Sequence, residues 1–368
     1  MGKCANCGKE SKLIASFLGL CRTCIIQNLR ECESQIHNAH RVSREAFGLP
    51  LKPPLDEEGI KCNFCFNQCV LREGAKGYCG ARENVDGTKI SPSPREGFFS
   101  WYYDPLPTNC VADWVCPGGT GAGYPRFAYK REAEYGYKNL AVFYHGCTFS
   151  CLFCQNWHHR EGLRVKKPRT SSDLAGAVDE KTSCVCYFGG DPSPHLPHSI
   201  HSSRLAKARS NKKILRFCWE TNGTMNSRFL EEILSIATES GGCVKFDLKA
   251  FHPDLNTALC GRSNSQTKLN FELAAGWIKK RKEPPLIVAS TLLVPGYVER
   301  EEINQIAKFI ASLNPDIPYV LLGFYPHFHF KDLPTTSRRH AEECKEAALA
   351  AGVKRVRIGN VHLLGSDY

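Results

Sequence analysis

The chain has 368 residues, 20 of them cysteine, and a formal net charge of +11. An apolar share of 42% and a charged share of 23% belong to a chain that can bury a globular core, and no run of about 18 apolar residues marks a membrane span. Cysteine pairs occupy the segment where a signal peptide needs an unbroken apolar stretch, which argues against a secreted disulfide framework and for a cytoplasmic protein using its thiols on metals. The basic residues are scattered, with short clusters at 164–167 and 279–282, so the charge fits either an acidic partner such as RNA or simply solvated helix ends.

In chain order, Cys4-x2-Cys7-x13-Cys21-x2-Cys24 comes first. Two Cys-x-x-Cys knuckles on a piece too small for its own core predict a zinc ribbon over residues 1–30, folded by its metal. Residues 31–60 read as a helix and linker broken at Pro50, Pro53 and Pro54. Residues 61–136 read as an irregular Cys-rich segment packed on the next domain. Within it Cys62, Cys65, Cys69 and Cys79, spaced by glycines, suit either zinc or an auxiliary iron–sulfur cluster, because both take four thiolates. Cys110 and Cys116 complete or neighbour a site, or are ordinary loop cysteines.

The apolar run Leu140–Phe143 predicts a buried strand leading into Gly146-Cys147-x3-Cys151-x2-Cys154. Three such thiols supply three of the four ligands of a [4Fe–4S] cluster and leave one iron open, the mark of a chemical site rather than a staple. A zinc site completed by His145, His158 or His159 is the competing reading. Strand candidates then alternate with helices: 183–188, 214–219, 243–248, 286–293, 319–324 and 355–358, against 171–180, 199–210, 226–239, 267–282, 300–313 and 337–351. Such alternation predicts an α/β fold, a partial (β/α)6 TIM-type barrel over residues 137–368, with its site at the C-terminal strand ends. Cys184, Cys186, Cys218 and Cys243 fall inside these strands and read as small buried hydrophobes.

The Cys147/Cys151/Cys154 loop, with Phe153 before its last cysteine, resembles the radical S-adenosylmethionine (SAM) superfamily. Gly77-Tyr78-Cys79-Gly80-Ala81-Arg82-Glu83-Asn84 is similar to a GxCGxRxN segment in relatives of pyruvate formate-lyase-activating enzyme, in the branch of the AmmeMemoRadiSam-system protein. The resemblance runs from about residue 60 onward and leaves out the ribbon. It implies that Gly189, Gly190 and Asp191 hold the SAM amino group, with Asp191 standing in for the usual glutamate. Glu220, Thr221 and Asn222 would meet the ribose or methionine part. Lys249 would meet the SAM carboxylate with Asp247 in the cavity wall, and Val294 and Pro295 would flank the adenine. His327, in Phe324–His329, is a further contact candidate for cofactor or substrate. The implied reaction is one-electron cleavage of SAM to a 5′-deoxyadenosyl radical, fed by a flavodoxin- or ferredoxin-type reductant and acting on a protein or peptide. RNA or a small molecule is the alternative substrate, and a non-catalytic zinc-binding interaction protein is the alternative class.

Overall fold

A computed structural model describes every residue except Lys166, which belongs to one of the two basic clusters and lies outside the described residues. The centre is an eight-stranded sheet: β1 (Phe99–Pro105), β2 (Lys138–Tyr144), β3 (Thr182–Gly189), β4 (Arg216–Thr221), β5 (Val244–Asp247), β6 (Ile287–Leu293), β7 (Tyr319–Gly323) and β8 (Val356–Gly359). Each strand lies beside its sequence neighbour, β2 to β8 are parallel, and β1 adds antiparallel to β2. β1 and β8 do not pair, so the sheet winds one way without closing. Parallel strands are covered on both faces: all seven residues of β6 are buried, with six of the eight in β3.

Helices return the chain between strands: α2 (Leu196–Arg209), α3 (Ser227–Ser240), α4 (Pro253–Cys260), α5 (Ser265–Ala275), α6 (Arg300–Leu313) and α7 (Arg338–Ala350), preceded in the chain by α1 (Leu29–Glu45). Their faces follow the 3.6-residue period, as in α6, where Ile303, Ile306, Ala307 and Ile310 are buried. The starts of α3 and α7 are capped: Asn226 accepts from the backbone N–H of Arg228 at 3.2 Å, and Ser337 from that of His340 at 3.1 Å.

The mixed α/β fold with a largely parallel sheet is as expected, with differences. The seven parallel strands are the run at 140–143 and the six candidates after it. Residues 86–136 are not irregular throughout, because Phe99-Ser-Trp-Tyr-Tyr-Asp-Pro105 forms β1, aromatic residues suiting an edge strand. α4 had no counterpart in the sequence reading, and α5 stops at Ala275.

The amino-terminal ribbon docks on the barrel's C-terminal side. Tyr297 Oη accepts from the Ala15 N–H at 3.0 Å and donates to Leu20 O at 2.9 Å, the Ser16 N–H donates to Asp332 at 2.9 Å, and Phe17 stacks on His329 with centroids 3.9 Å apart. The approach needs glycine at 296, where φ is +80° and a Cβ would lie 2.1 Å from Leu13 O.

Candidate active site

β2 ends at Tyr144 and delivers the Cys147–Cys154 loop to the C-terminal ends of β3, β4 and β5. The loop is fixed from two sides. The Ser150 and Leu152 N–H groups donate to Cys260 O (2.8 Å) and Leu259 O (2.9 Å) at the end of α4. On the other side the Cys147 N–H donates to Cys79 O at 3.4 Å, and Asn67 Nδ2 donates to Thr148 O at 3.0 Å. Gly77–Asn84 thus braces the loop from behind. Its Arg82 is 1% exposed, donates to the carbonyls of Pro194 and Pro92, and lies 4.2 Å over the Phe64 ring.

A cavity of about 170 Å³ opens in front of the loop. Its wall brings together Cys147, Cys151, Phe153, Cys154, Gly189, Gly190, Asp191, Glu220, Thr221, Asn222, Asp247 and Lys249, residues spread over about a hundred positions of sequence. At Gly190 a Cβ would meet Gly146 O at 2.3 Å, so only glycine lets this strand end pass the loop. Asn156, two residues past the last cysteine, also lines the cavity and was missed in the sequence.

Asp191, in the cavity wall, is tied to the neighbouring strand end. One carboxylate oxygen accepts from Thr221 Oγ1 (2.8 Å) and the Asn222 N–H (2.9 Å), and the other from the Ser193 N–H (2.9 Å). It is 2% exposed, and burial raises its pKa against these bonds. Asp191 therefore knits the β3 end to the β4 end. Asn222, positioned by it, donates to Thr148 Oγ1 at 2.8 Å and to Cys147 Sγ at 3.7 Å. Lys249 and Asp247 form an ion pair in the wall. Burial disfavours the Lys249 charge, but Asp247 and Cys151 outweigh it and hold the ammonium above its ordinary pKa.

Burial pushes the Cys154 thiol up to about 11 and that of Cys147 well above its usual value. Cys151 is lowered by the hydrogen bond of Cys260, which stands behind it and off the cavity wall. Among the described residues lining the cavity these three are the only thiols, and a bound metal cluster would stabilise their thiolate forms.

Sulfur spacing separates the cysteine groups. A tetrahedral ion with metal–sulfur bonds of about 2.3 Å needs sulfurs roughly 3.8 Å apart. Cys4, Cys7, Cys21 and Cys24 meet this, with all ligand atoms within 4.8 Å of one another and Cys7 Sγ 3.9 Å from Cys21 Sγ. Among the described residues no other group of three thiols, histidines or carboxylates is drawn so close. The loop thiols with His145, His158 or His159 do not form the zinc site weighed as an alternative, and Cys62, Cys65, Cys69 and Cys79 do not form a zinc-sized cage.

Val294, Pro295 and His327 are not in the cavity wall. The 294–297 turn seats the ribbon instead, and His327 Nε2 accepts from Trp157 Nε1 at 3.0 Å.

Residues 141–310 match the Radical SAM superfamily. Two curated relatives from Methanocaldococcus jannaschii are similar along most of their length: uncharacterized protein MJ0808, 22% identical over 83% of each chain, and uncharacterized protein MJ0674, 23% identical over 80% of this chain and 74% of its own. Among solved structures, a domain of pyruvate-formate lyase-activating enzyme from Bacteroides vulgatus overlaps 48% of this chain and 98% of its own, at 19% identity and TM-score 0.39. SuiB from Streptococcus suis, crystallised with S-adenosylmethionine, overlaps 59% of this chain and 49% of its own, at 14% identity and TM-score 0.44. No helix is long and apolar enough to cross a membrane among the described residues.

Proposed function

We propose that this chain is a radical SAM enzyme that holds a [4Fe–4S] cluster on Cys147, Cys151 and Cys154 and S-adenosylmethionine in the adjoining cavity. The observation that carries the reading is the convergence of three loop thiols and the ends of β3, β4 and β5 on one space of about 170 Å³. When bound and reduced by a flavodoxin- or ferredoxin-type donor, this pair supplies a 5′-deoxyadenosyl radical that takes a hydrogen atom from a substrate.

The chain's own residues do the rest. Gly189 and Gly190 leave backbone exposed at the strand end where an amino acid head group can lie close. Lys249 offers a carboxylate a half-buried cation, and Asp247 keeps it charged. Asn222 fixes Cys147 through its side-chain amide, and Asp191 fixes Asn222. Phe153 and Leu292 give the cavity an apolar side that excludes water from reactive species.

The substrate we propose is a protein or peptide. The ribbon, which we assign one zinc ion on Cys4, Cys7, Cys21 and Cys24, is bolted beside the cavity end of the barrel through Tyr297 and Asp332, a placement that suits recognition of a macromolecule. The test is anaerobic reconstitution with iron and sulfide, followed by dithionite, SAM and chromatography. Formation of 5′-deoxyadenosine by the wild type and not by Cys151→Ala supports the reading; a colourless, zinc-only protein that leaves SAM intact overturns it.

A further inference from the structure

A larger cleft lies behind the Cys147–Cys154 loop, on the side away from the cavity. It measures about 990 Å³ and is bounded by α1, the linker at 51–55 and the end of α4. No described residue lines both spaces. The floor of the cleft is made by the groups that brace the loop. Asn67 lies there, and its Nδ2 donates to Thr148 O at 3.0 Å. Tyr78 and Gly261 lie there too, and their chain neighbours Cys79 and Cys260 accept loop N–H groups on their carbonyls. A single side chain, that of Asn67, thus separates the cleft from the backbone beside Cys147.

The lining is cationic and apolar. Arg30 on α1, Lys52 on the linker and Arg262 after α4 set three positive charges against one carboxylate, Glu33. The Arg262 guanidinium sits over the rings of Phe66 and Tyr78, 5.1 and 5.8 Å away, and its Nε has no hydrogen-bond partner. Leu51 and Leu55 leave apolar side chains exposed on the linker. A basic face with exposed leucines fits a protein partner of opposite charge, steered to it by the field of the cations. The position selects the partner. The cluster reading of the loop needs one electron from outside for each SAM cleaved, and electron tunnelling falls steeply with distance. A donor at the cavity would compete with SAM and substrate, whereas a donor in this cleft leaves the cavity free.

We propose that this cleft docks an acidic one-electron donor protein, of flavodoxin or ferredoxin type, which delivers its electron from behind the Cys147 loop. The donor is oxidised by one electron and the loop's cluster is reduced by one. This rests on the cluster reading of the loop and adds where the donor binds and which charges hold it.

Two measurements on reconstituted full-length protein test it. The first is binding of oxidised flavodoxin and of oxidised ferredoxin, by calorimetry. The second is single-turnover formation of 5′-deoxyadenosine, driven by either reduced donor protein or by photoreduced 5-deazariboflavin, a small uncharged donor. Arg30→Glu combined with Lys52→Glu should weaken donor binding and slow the protein-driven reaction about tenfold or more at low salt. The same pair should leave the deazariboflavin-driven rate unchanged, and Glu33→Lys should strengthen donor binding. These differences should shrink towards about 1 M salt, where the screening length is about 3 Å. Donor binding and protein-driven rates indifferent to the reversed charges overturn the proposal, as does an equal loss of rate with deazariboflavin or a wild type that binds neither donor protein. A wild type that leaves SAM intact even with deazariboflavin overturns the cluster reading first, and this proposal with it.

Discussion

The two mouths of the barrel are both rich in sulfur, yet they are built in opposite ways. At the C-terminal mouth three thiols sit within eight consecutive residues, on a loop held by Cys79 O and Cys260 O, and polar strand ends face them. At the N-terminal mouth six thiols arrive one or two at a time from β3, β4, the residue before β5 and a loop, around a lysine. Short spacing on a loop is how a chain presents an open ligand set. Assembly across strands buries the sulfur inside the core, where it is indistinguishable by sequence from small apolar packing. The contrast teaches that cysteine spacing reveals thiols gathered on a loop and misses those gathered inside a barrel.

The sharpest way to break the comparison is at the loop. Cys151→Ala removes one of three ligands, and 5′-deoxyadenosine formation under reducing conditions should fall by more than ~100-fold while the far-ultraviolet circular dichroism is kept. An undiminished rate would mean that the loop is not the chemical end of the barrel.

Next in size is a change near the other mouth. Arg216 is 2% exposed and is held by Glu134 through paired contacts of 2.9 and 2.6 Å. Glu134→Ala strands a buried guanidinium, and urea unfolding should show a loss of about 3–5 kcal/mol. A loss below ~1 kcal/mol would show that this end tolerates an unpaired charge.

A pH titration then sharpens the contrast through histidines packed around the C-terminal mouth. Burial lowers His40, bonded to Ala258 O in α4 at 3.0 Å, to about 4, and lowers His198, bonded to Tyr144 at the end of β2, to about 3. Because the native state resists protonating them, the unfolded chain binds protons first as pH falls below about 6.5. Stability is therefore full above that pH and drains as it drops towards 4, by about 3 kcal/mol from His40 alone. Denaturant melts at pH 7 and pH 4.5 should differ in that direction, and His40→Gln should flatten part of the slope.

The smallest expected effect is at Lys249. Lys249→Met removes the cation proposed to meet the SAM carboxylate and should weaken SAM binding about tenfold, near 1.4 kcal/mol, by calorimetry on the reconstituted protein. Unaltered affinity would assign the ion pair with Asp247 a purely structural role.

The fold was largely legible because its strands are apolar runs of the right length separated by amphipathic helices, as in Leu286–Leu293 and Arg300–Leu313. β1 escaped because an antiparallel edge strand carries no flanking helix to announce it. The cavity residues at the β3, β4 and β5 ends were found in order along the chain, but the protein contacts of Asp191, the 294–297 turn and His327 were not, and Val294, Pro295 and His327 lie outside the cavity wall. Each is settled by a neighbour distant in sequence: Thr221 and Asn222 for Asp191, the ribbon for the 294–297 turn, and Trp157 for His327.

By itself the sequence determined whatever depends on local spacing: the knuckles of the ribbon, the three-thiol loop and the alternation that winds a parallel sheet. Tertiary structure alone decided which faces of those strands point inward and what they meet there. An inward residue's neighbours are set by strand register across the sheet, and register joins positions tens of residues apart. Thus Cys186 beside Cys218, with Lys245 reaching the Cys186 sulfur, came together only when the barrel wound up.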